Sequence, residues 1–127
     1  MYEYKAKIIR VVDGDTVEAE LDLGFRIKQE MRIRLLNIDT PEIFHPESAE
    51  EKILGNYIKN WLMNEIEGKE IFIRTHKDTK DKYGRYLATL YTNYYAPASI
   101  NDEMIGLGFD KAMALNKATA LYKQLIG

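Results

Sequence analysis

A chain of 127 residues, 46% hydrophobic and 30% charged, is expected to form one globular domain over 1–127, long enough to bury a core. The absence of cysteine excludes disulfide frameworks, thiolate zinc sites and thiol nucleophiles together, and a net charge of −2 excludes a protein that coats nucleic acid through its overall field. No apolar run approaches the roughly 18 residues a bilayer span needs, and Met1-Tyr2-Glu3-Tyr4-Lys5 alternates charged and apolar residues unlike a signal peptide, so the expectation is a cytoplasmic protein or a mature secreted form, with no membrane partner.

Tyr4 to Val12 is rich in β-branched residues and reads as a strand, ending in a tight turn at Asp13-Gly14-Asp15. Thr16 to Leu21 alternates as a second strand, a turn follows at Asp22-Leu23-Gly24, and Phe25 to Ile38 contains a third. Pro41 to Pro46 is a loop, after which Ser48-Ala49-Glu50-Glu51 has capping-box spacing at a helix start. Ile53, Leu54, Tyr57, Ile58, Trp61, Leu62 and Ile66 recur at helical spacing and form the expected core face, with Gly68 as the stop. Lys69 to Thr75 is a fourth strand, His76 to Gly84 a polar loop and Tyr86 to Thr92 a fifth strand. A second helix starts at Ser99 and runs towards Gly108, and Ala118 to Leu125 can form a short last one. The order predicts an α+β fold, mainly β: a five-stranded, OB-fold-like Greek-key β-barrel with two or three helices.

Three segments concentrate charge where strands end: Asp13-Gly14-Asp15-Thr16, Arg34 to Glu42, and Asp81-Lys82-Tyr83-Gly84-Arg85. Each alone is an ordinary turn, a proline exit or a loop end. Strand alternation sets Arg34 opposite Leu35 and on the side of Leu36, among apolar neighbours where an unpaired charge is costly, so it needs a carboxylate or phosphate partner. Hard carboxylates such as Asp15 and Asp39 suit Ca²⁺ or Mg²⁺, and Arg34 and Arg85 suit phosphate oxygens. His45 and His76 lack zinc-like spacing and read as loop residues.

These same segments resemble the three signature segments of the staphylococcal nuclease family, in the family's order, and the resemblance covers about residues 4 to 113. It implies a calcium-dependent nuclease acting on DNA or RNA as a monomer, and leaving 3′-phosphate and 5′-hydroxyl ends. Asp15 and Asp39 match the metal-binding carboxylates, and the backbone carbonyl of Thr40 a third ligand. Glu42 matches the general base, Arg34 and Arg85 the arginines that clamp the scissile phosphate, and Asp13 a nearby supporting acid. Lys82 and Tyr83 match substrate-binding residues that line the nucleotide pocket. The sequence departs from the family pattern at Lys111-Ala112-Met113-Ala114-Leu115-Asn116, where tyrosines beside the base are expected and none occurs. Tyr94 and Tyr95 can compensate, but the sequence does not place them. The rival readings are an OB-fold module that binds nucleic acid or protein without catalysis, and a domain that retains the fold alone. The joint presence of Asp15, Arg34, Asp39, Glu42 and Arg85 favours catalysis over both.

Overall fold

The computed structural model describes residues 2–80 and 85–116. In chain order its elements are β1 (Tyr2–Asp13), β2 (Thr16–Asp22), β3 (Lys28–Leu35), α1 (Ala49–Ile66), β4 (Glu70–Lys80), β5 (Tyr86–Tyr91) and α2 (Ile100–Gly106). The strands close into a barrel in the order β1-β2-β3-β5-β4, the expected mainly-β architecture with helices appended. Every pairing is antiparallel except β3–β5, which is parallel over residues 33–35 and 86–88. Beyond that short run, Asn101 at the start of α2 takes over the ladder. Its Oδ1 accepts from the Leu90 N–H at 2.9 Å and its Nδ2 donates to the Leu36 carbonyl and to the Ala88 carbonyl, which also accepts from Leu36 N–H, so the Leu90 N–H and Leu36 carbonyl just past the seam are still satisfied. Residues 111–116 are also helical, and the expected last helix at 118–125 lies outside the described residues.

Inward positions of the strands, including Ile8, Val17, Ala19, Leu21, Ile33, Leu35, Ile71, Ile73 and Leu90, fill one core together with Ile58, Leu62 and Ile66 of α1 and Met104 of α2. Two irregularities interrupt β1, between Ile8 and Arg10 and between Val11 and Asp13. Each gives β1 one more residue than β2, which bends and twists the strand and brings Asp13 opposite Thr16. Helix α1 begins on Ser48, whose Oγ accepts from the Glu51 N–H, and ends as expected at Gly68, which takes φ 77° where a side chain would be strained. Among the described residues no helix is long and apolar enough to cross a membrane.

The third strand lies within the expected stretch, starting at Lys28 because Gly24, Phe25 and Arg26 all take positive φ (80°, 54° and 62°) at a hairpin tip, leaving Phe25 97% exposed. Three local expectations are corrected. Leu36 lies beyond β3, so Arg34 simply faces away from the buried Ile33 and Leu35. The polar stretch from His76 is strand as far as Lys80, because Lys80 pairs with Tyr86 and carries the hairpin on. Of the expected helix core, Ile53 and Tyr57 are mostly exposed, and Tyr57 and Trp61 meet Phe109 edge-on.

Candidate active site

The Asp13-Gly14-Asp15 turn lies against the segment that follows β3. Leu35 N–H donates to the Asp15 carbonyl at 2.8 Å, and a Cβ on Gly14 would come within 2.7 Å of Thr40 Oγ1. This glycine is therefore required by close approach rather than by turn geometry. Asp15 is 6% exposed and its carboxylate is nearly saturated: Oδ2 accepts from Thr40 N–H at 3.0 Å and from Thr40 Oγ1 at 3.2 Å, and Oδ1 from Thr16 Oγ1. Asp13 in turn accepts from the Asp15 N–H at 3.0 Å.

Arg34 leaves β3 on its outer face and is held from behind. Its Nη1 donates to the Leu35 and Ile38 carbonyls, which the chain turns towards it by passing through a left-handed Asn37 (φ 65°), a conformation asparagine tolerates. Its Nη2 lies 3.5 Å from both Asp15 Oδ2 and Asp39 Oδ1. The partners expected for this arginine are thus carboxylates in the structure. Arg85, just before β5, donates from Nη1 to Thr16 Oγ1 at 2.9 Å. The two guanidiniums therefore reach one place from the two strands of the parallel seam.

The loop that carries Glu42 is secured by two residues the sequence reading did not assign to the site. Glu51 is 1% exposed and its carboxylate accepts from Glu42 N–H at 3.1 Å, from Glu47 N–H at 2.7 Å and from Lys111 Nζ at 3.1 Å. These three donors, the Glu47 amide first, hold it below its ordinary value, and the Lys111 ammonium is raised by the same partner. A capping box would have sent this carboxylate back to the cap residue's own amide. It reaches past the cap to the loop instead. Lys111 also ties the site through its backbone, its N–H donating to the Asp39 carbonyl, while Asp110 Oδ1 accepts from Asp39 N–H.

Gly55 completes this arrangement, since a Cβ there would stand 2.5 Å from Ile43 Cγ2 and 2.6 Å from the Pro41 carbonyl oxygen. In an exposed helix Gly→Ala gains up to about 1 kcal/mol, but here the backbone obstructs it and overpacking costs about 1–3 kcal/mol. Gly55→Ala is expected to lower stability, measured by urea unfolding, and to displace the Glu42 loop; a more stable variant would refute this packing argument.

Val12, Asp13, Asp15, Thr16, Arg32, Arg34, Asp39, Glu42, Phe44, His45, Glu47, Arg85 and Lys111 line one cleft of about 1030 Å³. The described residues expected in the site are thereby gathered, Thr40 lying beneath the cleft through its bonds to Asp15; Lys82 and Tyr83 lie outside the described residues. His45 is at the cleft lining, a placement its isolated position in sequence does not signal. Burial, then the hydrogen bond and charge of Asp15, push the Asp13 carboxyl up to about 7, with Glu42 adding to the effect. Acidic charge is therefore crowded beside three arginines, Arg32, Arg34 and Arg85. Among the described residues no three His, Cys, Asp or Glu side chains converge as a ready-made metal cage. The two carboxylates nearest Arg34, Asp15 and Asp39, nonetheless flank one of its nitrogens, and such oxygen donors suit a hard cation completed by water.

A closed five-stranded barrel with a cleft lined by carboxylates and arginines is the OB-like class of fold bearing a polar, anion-competent site. The chain belongs to the family described as staphylococcal nuclease homologue, which matches residues 32–126. It is 31% identical to a thermonuclease of Staphylococcus intermedius over 105 residues, covering 80% of this chain and 52% of the relative. An endonuclease of Bacillus subtilis, YhcR, is 30% identical over 112 residues, covering 84% of this chain and 9% of the relative. An uncharacterized protein of Methanocaldococcus jannaschii is 32% identical over 131 residues, covering 89% of this chain and 61% of the relative. The chain thus spans less than two thirds of the length of each of these curated relatives. Nucleases are among the proteins with which it shares its family.

Proposed function

We propose that the protein hydrolyses phosphodiester bonds of DNA or RNA with the help of a divalent cation, Ca²⁺ by preference, leaving 3′-phosphate and 5′-hydroxyl ends. The observation that supports this reading is the joint lining of one cleft by Asp15, Arg34, Asp39, Glu42 and Arg85. Asp15, Asp39 and the Thr40 carbonyl would hold the cation, which when bound supplies positive charge to the phosphate and makes water more acidic. Glu42 takes the proton of the attacking water. Arg34 and Arg85 donate to the phosphoryl oxygens as charge builds on them, one guanidinium from each side of the seam. Asp13 supports Asp15 by accepting its backbone N–H. Lys82 and Tyr83 contact the substrate's terminal phosphate in this reading.

The test is cleavage of single-stranded DNA and RNA with Ca²⁺, with Mg²⁺ and with excess chelator. Cleavage is expected only with the divalent ion. Asp39→Ala is the cleaner ligand variant, because its side chain is 65% exposed whereas that of Asp15 organises Thr40. It should abolish metal-dependent turnover with no change in melting temperature in chelator. Full activity in chelator would refute a metal-dependent mechanism, and no cleavage of either polymer under any condition would leave a binding module.

A further inference from the structure

The outer face of β4 and β5 carries a second cavity, of about 350 Å³, within the roughly 300–1,000 Å³ typical of small-ligand pockets. Phe72, Arg74, Tyr91, Asn93 and Tyr94 are among its walls. Phe72 and Tyr91 are register partners on neighbouring strands, and Tyr94 meets Phe72 edge-on with ring centroids 5.5 Å apart. Tyr94 and Tyr95 are 62% and 88% exposed, an unusual amount of ring surface to leave in water. Arg74 lies over the Tyr91 ring at 5.2 Å and donates from Nε and Nη2 to Glu3 at 3.0 and 2.8 Å.

That pairing decides the class of ligand. The cation at the pocket is already neutralised by a carboxylate, so a phosphate gains little there, whereas a flat, uncharged ring can stack on Tyr94 or on the guanidinium plane. The pocket is also in line with the catalytic cleft. Arg34 pairs with Leu87 at the cleft end of β5, and Leu87, Thr89 and Tyr91 project on the same outer side. Leu87 and Tyr91 are therefore about 13 Å apart at about 3.3 Å per residue. A few nucleotides of single strand, rising about 3.4 Å each when stacked and more when extended, cover that distance. We infer that the pocket formed by Phe72, Arg74, Tyr91 and Tyr94 binds a nucleobase of a single-stranded substrate, a few nucleotides from the phosphate held at Arg34. This rests on the nuclease reading for the identity of the polymer. It supplies the base-stacking surface that the aromatic-free stretch 111–116 does not.

The test is binding of oligothymidylate of about eight nucleotides in chelator, read by tyrosine fluorescence and calorimetry. Because no cleavage is needed, a chain that hydrolyses nothing still tests the pocket. Tyr94→Ala should weaken binding by about 5- to 150-fold, the scale of one lost base–aromatic stack. Tyr94→Phe should restore affinity to near wild type, and an abasic oligomer of the same length should bind wild type and Tyr94→Ala equally. Tyr94 is largely exposed, so both variants should melt as wild type does. Unchanged oligothymidylate affinity in Tyr94→Ala, or an equal loss with the abasic oligomer, overturns the proposal; the first result leaves this face to a peptide or protein partner.

Discussion

Replacing Glu42 with glutamine is expected to lower kcat by about two to four orders of magnitude, the range that a positioned general base contributes. Affinity for a nucleotide product should change by only a few-fold. The structure makes this substitution unusually clean. Glu42 is positioned through its main chain, whose N–H is taken by the buried Glu51 carboxylate at 3.1 Å, and not through its own carboxylate. The amide therefore keeps the loop and the shape of the side chain while losing the ability to take a proton. Steady-state turnover paired with calorimetric binding of a nucleotide monophosphate makes the comparison. Wild-type turnover would exclude Glu42 as the base, and a large loss of affinity with intact turnover would make it a binding residue.

Replacing Glu51 with alanine should destabilise the fold by about 3–5 kcal/mol, the cost of breaking a buried ion pair by removing one member. Two loop amides and the Lys111 ammonium lose their acceptor at once. Lys111→Met should cost less, since the carboxylate keeps both amide donors. The pair also sets a pH window. Glu51 is depressed on folding, so its contribution is fully present above its ordinary value of 4.5 and is lost as pH falls through the lower folded value. Lys111 is raised, so its contribution is present below 10.5 and is lost as pH rises through the higher folded value. Urea unfolding of wild type and both variants across pH measures all three effects. If Glu51→Ala lost stability equally at pH 3 and pH 7, the carboxylate charge would not be the source.

The barrel was readable because its strands alternate and because Gly68 and Ser48 punctuate α1 in ways that local chemistry dictates. The side chains that line the cleft were readable as types clustered at strand ends. What fastens them was not. Glu51 and Gly55 begin the buried stripe of α1 that continues through Ile58, Leu62 and Ile66, yet a search for apolar periodicity passes over a carboxylate and a glycine. The same periodicity promotes Ile53 and Tyr57, which face water. The visible spacing of Ser48 and Glu51 was correctly taken as a helix start, but only the half in which Ser48 accepts is local. The other half depends on Glu42, Glu47 and Lys111, brought together by the tertiary fold. The two irregularities in β1 are equally silent in sequence, since Ile9 and Val12 both look like strand residues and only the pairing of their neighbours with β2 reveals the extra positions.

The parallel seam has a consequence for how the molecule is assembled. The hairpins β1–β2, β2–β3 and β4–β5 join neighbours in the chain, whereas two pairings join distant segments: residues 2–7 with 70–75, over six pairs, and residues 33–35 with 86–88, over only three. Loop-closure entropy makes such a distant, three-residue pairing unfavourable until the hairpins and helix are already in place. Arg34 stands on one side of that seam and Arg85 on the other, so their approach to one another depends on this short, distant pairing. Amide exchange at Leu36 and Leu90, whose N–H groups are taken by Ala88 and Asn101, reports on the closure directly. Species that have formed every local element but not this joint would be mostly β with Arg34 and Arg85 held apart.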